Sequence, residues 1–354
     1  MRSLSTLGLL CLVLAPAMGA AAPLYRVTDI GNGSPAEPVA INEKSQVLVS
    51  ARPSYVWTDG MTEAVGIDQD KALDFTDKDK VVGYVFPGDD ISTRPAYWLK
   101  PGKPARLLSI LNHVPDSTYD QATGINKSGQ IAGWLYHADG KPGPVMWDGG
   151  ALVDLKPFVE DHCYLYSPRP KINLAGVVAV TSCNHGYRID TASMTAILLE
   201  GFDTKHAFQC NDCSIAYAIN DKSEVAGASR AQYRNKDGAF QIRQEATVWN
   251  GGGKPKDIGV LKMEGYPDVE SRAFGINNGG QVVGYTSWGA VQRAFLYGPD
   301  MKITDLNNLI DPSDPKFGHV TLLYATAIND KGEIIGMLND NALGSRIFKL
   351  TPVQ

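Results

Sequence analysis

Histidine and cysteine are the side chains best suited to chemistry near neutral pH, the first as proton carrier or metal ligand, the second as nucleophile or disulfide partner. The chain of 354 residues has six histidines, His113, His137, His162, His185, His206 and His319. No two of them have the spacing of a paired zinc site or an HExxH helix, so no metal is expected. A GxSxG elbow and a phosphate-binding glycine loop are also lacking, and no cofactor is expected. Cys11 lies in the apolar leader, which leaves Cys163, Cys183, Cys210 and Cys213. An even number in an exported chain reads as disulfides, and we expect Cys210 with Cys213 and Cys163 with Cys183. A redox reading of Cys210-Asn211-Asp212-Cys213 needs a strand-to-helix context, whereas Ser214 to Asn220 reads as strand. Scattered carboxylates such as Asp89, Asp120, Glu160 and Asp268 could pair for a hydrolase or lyase, but only a fold can bring them together.

The elements that must position these residues are written in a repeat. "AINDKGEIIG" at 327–336 recurs as "AINDKSEVAG" at 218–227, "GINKSGQIAG" at 124–133, "GINNGGQVVG" at 275–284 and "AINEKSQVLV" at 40–49, with weaker copies at 74–83 and 171–180. Aligning Asn42, Thr76, Asn126, Asn173, Asn220, Asn277 and Asn329 gives steps of 34 to 57 residues, the size of a propeller blade. Each unit has an alternating segment ending in Ile-Asn, a tight turn, and a second apolar segment closing in Gly. A third segment ends in an aromatic, such as Trp57, Trp98, Trp147 or Trp249, and a short fourth follows a Gly-, Pro- or Asp-rich turn. These are strands A, B, C and D of an antiparallel blade, and the repeated Asn, which suits the A–B turn, is structural. The acidic neighbours Glu43, Asp77, Asp221 and Asp330 offer too few oxygen ligands per turn for calcium.

The last unit supplies A, B and C and then stops, while residues 24–31, "LYRVTDIG", read as a D strand with nothing before it. The chain is therefore expected to be an all-β, seven-bladed β-propeller of four-stranded antiparallel blades, closed by its N-terminal strand in the last blade. Closure leaves no open edge. The domain covers 23–354. Residues 1–22, with Arg2, the apolar run Leu7–Ala15 and small residues to Ala22, read as a secretory signal peptide. The expected location is periplasmic or extracellular. No later segment reaches the length of a membrane span.

The pattern Ile-Asn-x-x-Gly-x-Val-Val-Gly, then an Ala-Phe-Leu-aromatic phrase, then Asp-Leu, resembles the HAF repeat of bacterial exported proteins. Gly275 to Leu306, with "RAFLYG" at 293–298, is the nearest copy. The resemblance implies export and a repetitive β-fold, and brings no activity or catalytic residue with it.

The blade register puts A–B and C–D turns on one face, here called the turn end. D–A and B–C connections, read as long and irregular, make the loop end, and long loops on a rigid scaffold collect binding groups. All six histidines and the four mature cysteines fall in those connections. The leading reading is a non-catalytic propeller binding a small molecule, glycan or protein there, through Trp134, His137, His185, Tyr187, His206 and Trp288. A carbohydrate- or peptide-acting hydrolase or lyase using carboxylates and histidine on the same face is the alternative. With a formal charge of −5 and no basic stripe, nucleic acid is not an expected partner.

Overall fold

The computed structural model describes residues 23–88, 92–111, 120–160, 169–202, 213–234, 238, 240–262, 269–298 and 300–353. The leader, His113, His162, His206, Cys163 and Cys210 lie outside them.

Seven four-stranded antiparallel sheets form a closed seven-bladed propeller. The A strands, Glu37–Ile41, Lys71–Phe75, Gln121–Ile125, Lys171–Ile172, Ser214–Ile219, Glu270–Ile276 and Val320–Ile328, are innermost, each against the A strands of both neighbours. The seventh sheet is completed by Tyr25–Asn32, which runs antiparallel to Gly344–Pro352 with Tyr25 opposite Pro352. Tyr25 is fully buried in a cluster with Leu338, Phe348 and Leu350. The main apolar clusters lie between blades: Leu48 and Val56 of blade 1 meet Phe75, Val81 and Trp98 of blade 2. Neighbours cover both faces of a blade, so Val47–Ser50 is buried at every position.

The A–B turns repeat closely. In blade 1 the Asn42 amide donates to the Gln46 carbonyl and the Ser45 amide to the Asn42 carbonyl, both at 3.1 Å. The fourth turn residue is left-handed in every blade: Ser45, Asp79 and Ser223 at φ 60 to 66°, and Gly129, Gly176, Gly280 and Gly332 at 75 to 91°. A tight turn followed by one left-handed residue is a common hairpin geometry, and it accounts for the Gly or Ser written there. The glycine four residues later has a separate cause. Strand A bulges opposite it, and a Cβ at Gly83, Gly227 or Gly284 would lie 1.8 to 1.9 Å from the carbonyl oxygen of Lys71, Ile215 or Arg272.

Two expectations need correction. The B–C connections are not uniformly long: Cys183-Asn184 joins Ser182 to His185, and Gly289-Ala290 joins Trp288 to Val291. Cys183 and Asn184 both have positive φ, 54 and 66°, as a two-residue hairpin requires. The Cys163–Cys183 bridge does not form, because Cys183 is a buried free thiol whose Sγ faces the Glu160 carbonyl at 3.7 Å. Cys213 is disulfide-bonded, and its partner falls outside the described residues. Among the described residues no helix is long and apolar enough to cross a membrane.

Candidate functional site at the channel mouths

At the turn end the repeated asparagines do two jobs. Each side-chain oxygen accepts amides of its own turn, as Asn220 Oδ1 does from Lys222 and Glu224 at 3.1 and 2.9 Å. Each Nδ2 then reaches the next blade. Asn126 donates to the Asn173 carbonyl at 2.8 Å, Asn173 to Asn220 at 3.1 Å, Asn220 to Asn277, Asn277 to Asn329 and Asn329 to Asn42 at 3.0 Å. Asn42 reaches the Thr76 carbonyl at 3.4 Å, and Thr76 has no amide to pass on.

The residue after each Asn builds a second belt. The Asp330 amide donates to Glu43, Asn278 to Asp330, Asp221 to Asn278, Leu174 to Asp221 and Glu43 to Asp77, at 2.8 to 3.0 Å. Lys127 pairs with Asp77 at 3.6 Å. Burial pushes the Glu43 carboxyl up, against the Asp330 amide bond that favours its ionised form. A depression of about 160 Å³ opens here, lined by Ile41, Phe75, Ile125 and Ile172 below and these polar groups above. Its carboxylates are committed to backbone amides, so this end is a clasp. No group of three or more His, Cys, Asp or Glu among the described residues is placed to hold a metal ion.

The loop end is different. The fifth residue before the repeated Asn is Glu37, Lys71, Gln121, Arg272 or Tyr324 in five blades, each partly or fully exposed, while the next residue is buried in all five. Strand pairing sets Tyr84 opposite Lys71, Trp134 opposite Gln121 and Tyr285 opposite Arg272. Lys71 Nζ donates to the Ala51 carbonyl at 2.9 Å, which brings its ammonium beside Arg52 in the B–C connection of blade 1. Arg169, in the connection entering blade 4, is anchored by the Pro170 carbonyl, which accepts Thr123 Oγ1 at 2.8 Å.

The electrostatics tie these groups together across blades 1, 2, 4 and 7. Burial lowers the Lys71 pKa, the Arg52 and Arg169 charges lower it further, and Glu37 opposes them. Burial also lowers that of Arg169, with Tyr84 and Glu37 opposing. By area the Arg169 side chain is exposed, yet protein surrounds it closely enough to weaken its hydration. The Tyr84 hydroxyl is pushed up by burial against the pull of Arg169 and Arg52, and that of Tyr324 by burial and then Glu37. Blades 5 and 6 add a second group, in which Arg272 bonds Tyr217, Phe274 stacks edge-on to Tyr217 at 4.9 Å, and Glu270 lies near Tyr285. Deeper in, Lys171 Nζ pairs with Asp74 at 3.1 Å and is satisfied.

Of the residues singled out from sequence, Trp134 lies opposite Gln121 at this end, while Tyr187, Trp288, His137 and His185 lie elsewhere. Tyr187 is a core residue, and Trp134 packs half-buried against the same cluster between blades 3 and 4. Trp288 is 3% exposed at the end of its strand, with no partner for Nε1 among the described residues. His137 is buried in a blade 3 turn with Nδ1 3.6 Å from Asp154, and burial holds its pKa down against the Asp154 charge. His185 Nδ1 lies 3.2 Å from Glu160. Both histidines thus pair near the outer side of their blades, and His206 falls outside the described residues. Glu37, Lys71, Arg272 and Tyr324 escaped the sequence reading because that inner-strand position differs in every blade. Variation at one fixed place in an otherwise constant repeat was the available signal.

Comparison with known proteins adds fold and little more. Residues 190–340 match the model of a family described only as a protein of unknown function, DUF3466. None of the curated proteins matches the chain. Among solved structures, the WD40 repeats of RRP9 superpose with a TM-score of 0.53 at 9% identity, over 94% of this chain and 99% of that one. U3-55K does so with a TM-score of 0.52 at 10% identity, over 94% and 100%. At such identities the likeness is one of fold.

Proposed function

We propose that this chain is an exported, non-catalytic β-propeller that binds a small molecule, glycan or protein partner at the loop-end mouth of its channel. One observation carries the reading: Glu37, Lys71 and Tyr324 hold the same place on three inner strands, Tyr84 lies opposite Lys71, and Lys71 Nζ donates to the Ala51 carbonyl beside Arg52, with Arg169 near enough to act on Lys71 and Tyr84. A closed propeller needs no charges there for stability, and the turn end holds the blades without them. The leader-like residues 1–22, the resemblance to HAF repeats and a Cys210–Cys213 bridge belong to the same proposal, supported by the apolar run Leu7–Ala15 and the bonded state of Cys213.

Binding is favoured over hydrolysis by how the loop-end carboxylates are used. Asp70 accepts the Ile67 amide at 3.0 Å, Asp120 accepts the Tyr136 amide at 2.8 Å, and Glu160 pairs with His185. Among the described residues of the cationic group, Glu37 is the single carboxylate, whereas glycosidase chemistry uses two. The test is a thermal-shift screen of the mature protein against glycans, peptides and small metabolites, repeated with Arg52→Ala and with His185→Ala. Hits should vanish in Arg52→Ala and persist in His185→Ala; the reverse pattern would move the site to the rim.

A further inference from the structure

We propose that the loop-end mouth is a site for an oxyanion group on a small ligand, with Arg52, Lys71 and Arg169 supplying charge and Tyr84 a hydroxyl. The inference rests on the binding reading above and names the ligand's chemistry.

Several other cations of this chain are held in ion pairs. Arg346 grips Asp29 through two bonds at 3.0 and 3.1 Å, and Lys316 pairs with Asp340 at 2.7 Å. Among the described residues Arg52 and Arg169 reach no carboxylate within ion-pair distance, and Lys71 spends one of its three donors on the Ala51 carbonyl. Glu37 is close enough to be felt by Lys71 and Arg169, but it leaves three cations against one anion. That local excess occurs in a chain whose formal charge is −5.

Like charges held together and partly dehydrated are costly, and the cost is relieved when an anion enters. Guanidinium groups present paired N–H donors that match the two oxygens of a carboxylate, sulfate or phosphate. Burial and the two neighbouring guanidiniums weaken the Lys71 ammonium, the state expected of a site awaiting its counter-charge. The Arg169 backbone is fixed by Pro170 against blade 3, and Arg52 is placed by the short connection after Val47–Ser50. Lys71 is therefore held on an inner strand, Arg52 in the three-residue connection between Ser50 and Ser54, and Arg169 directly before the bonded Pro170.

Calorimetric titration of the mature protein with inorganic sulfate, inorganic phosphate, galacturonate and uncharged galactose, at matched ionic strength, tests this. The proposal expects oxyanion binding that weakens at least tenfold in an Arg52→Ala/Arg169→Ala double variant whose melting temperature is not lowered. Tighter binding of galacturonate than of the inorganic ions would assign the anion to a sugar, and the reverse to a free ion. Equal oxyanion binding by both proteins overturns the proposal. Galactose or a screened neutral ligand lost in the double variant, with no oxyanion response in the parent, overturns the anion while leaving the mouth as the binding site. No response to any oxyanion or neutral ligand overturns both.

Discussion

The two ends of the channel are made from opposite ends of the same inner strands. At the turn end every blade contributes nearly the same residue, and its polar groups are consumed by the neighbouring blade. At the loop end each blade contributes something different, and among the described residues Arg52 and Arg169 have no carboxylate within ion-pair distance. Repetition serves closure, because a ring needs one joint made seven times. A site for a ligand needs the reverse, since a small molecule has no sevenfold symmetry to match.

Variants at the two ends should separate these roles, and the largest effect is expected where the repeat is tightest. Gly284→Val puts a side chain into the Arg272 carbonyl and should cost about 3 kcal/mol or more, read as a lower urea midpoint. An unchanged midpoint would show that strand A can relax and that the repeated glycine is not required. The closing strand gives a reference independent of both ends. Burial raises the Tyr25 pKa from 10.0 to about 12, so the folded state keeps a proton that the unfolded state releases. Its contribution is complete below pH 10 and is lost as pH rises toward about 12, a fall of roughly 2 to 3 kcal/mol. Tyr25→Phe should flatten that alkaline loss, and at neutral pH it removes a buried hydroxyl with no partner among the described residues.

Next in size is Asn277→Ala, which deletes the bond to the Asn329 carbonyl and the turn bond from the Gln281 amide, for about 2 kcal/mol. Thr76→Asn runs the other way. It supplies the amide missing between blades 2 and 3 and should raise stability by about 0.5 to 1 kcal/mol. Smallest of all, Arg52→Ala should shift stability by under about 0.5 kcal/mol. A loss as large as that of Asn277→Ala would mean that the loop end also holds the ring together.

The contrast explains what could be read in advance. The turn Asn, the left-handed fourth residue, the glycine opposite the bulge and the lone N-terminal D strand each follow from a local rule repeated along the chain. The propeller and its closure were legible for that reason. Lys71 or Tyr324, by contrast, looks like noise in an alignment of repeats, because its role depends on neighbours up to several blades away. His137 and His185 stood out by residue type, but their partners Asp154 and Glu160 lie nearby and settle them locally. Cys183 looked like half of a disulfide, yet its turn geometry leaves it a buried thiol.

The closing strand also sets how the molecule responds to force. Tyr25 lies opposite Pro352, and the Val353 amide donates to the Leu24 carbonyl at 2.8 Å, so the two ends of the fold lie side by side. Pulling them apart loads the antiparallel ladder one rung at a time, as in peeling tape, and never all rungs together. The joint is hard to breach by thermal fluctuation and weak against traction applied at its own corner.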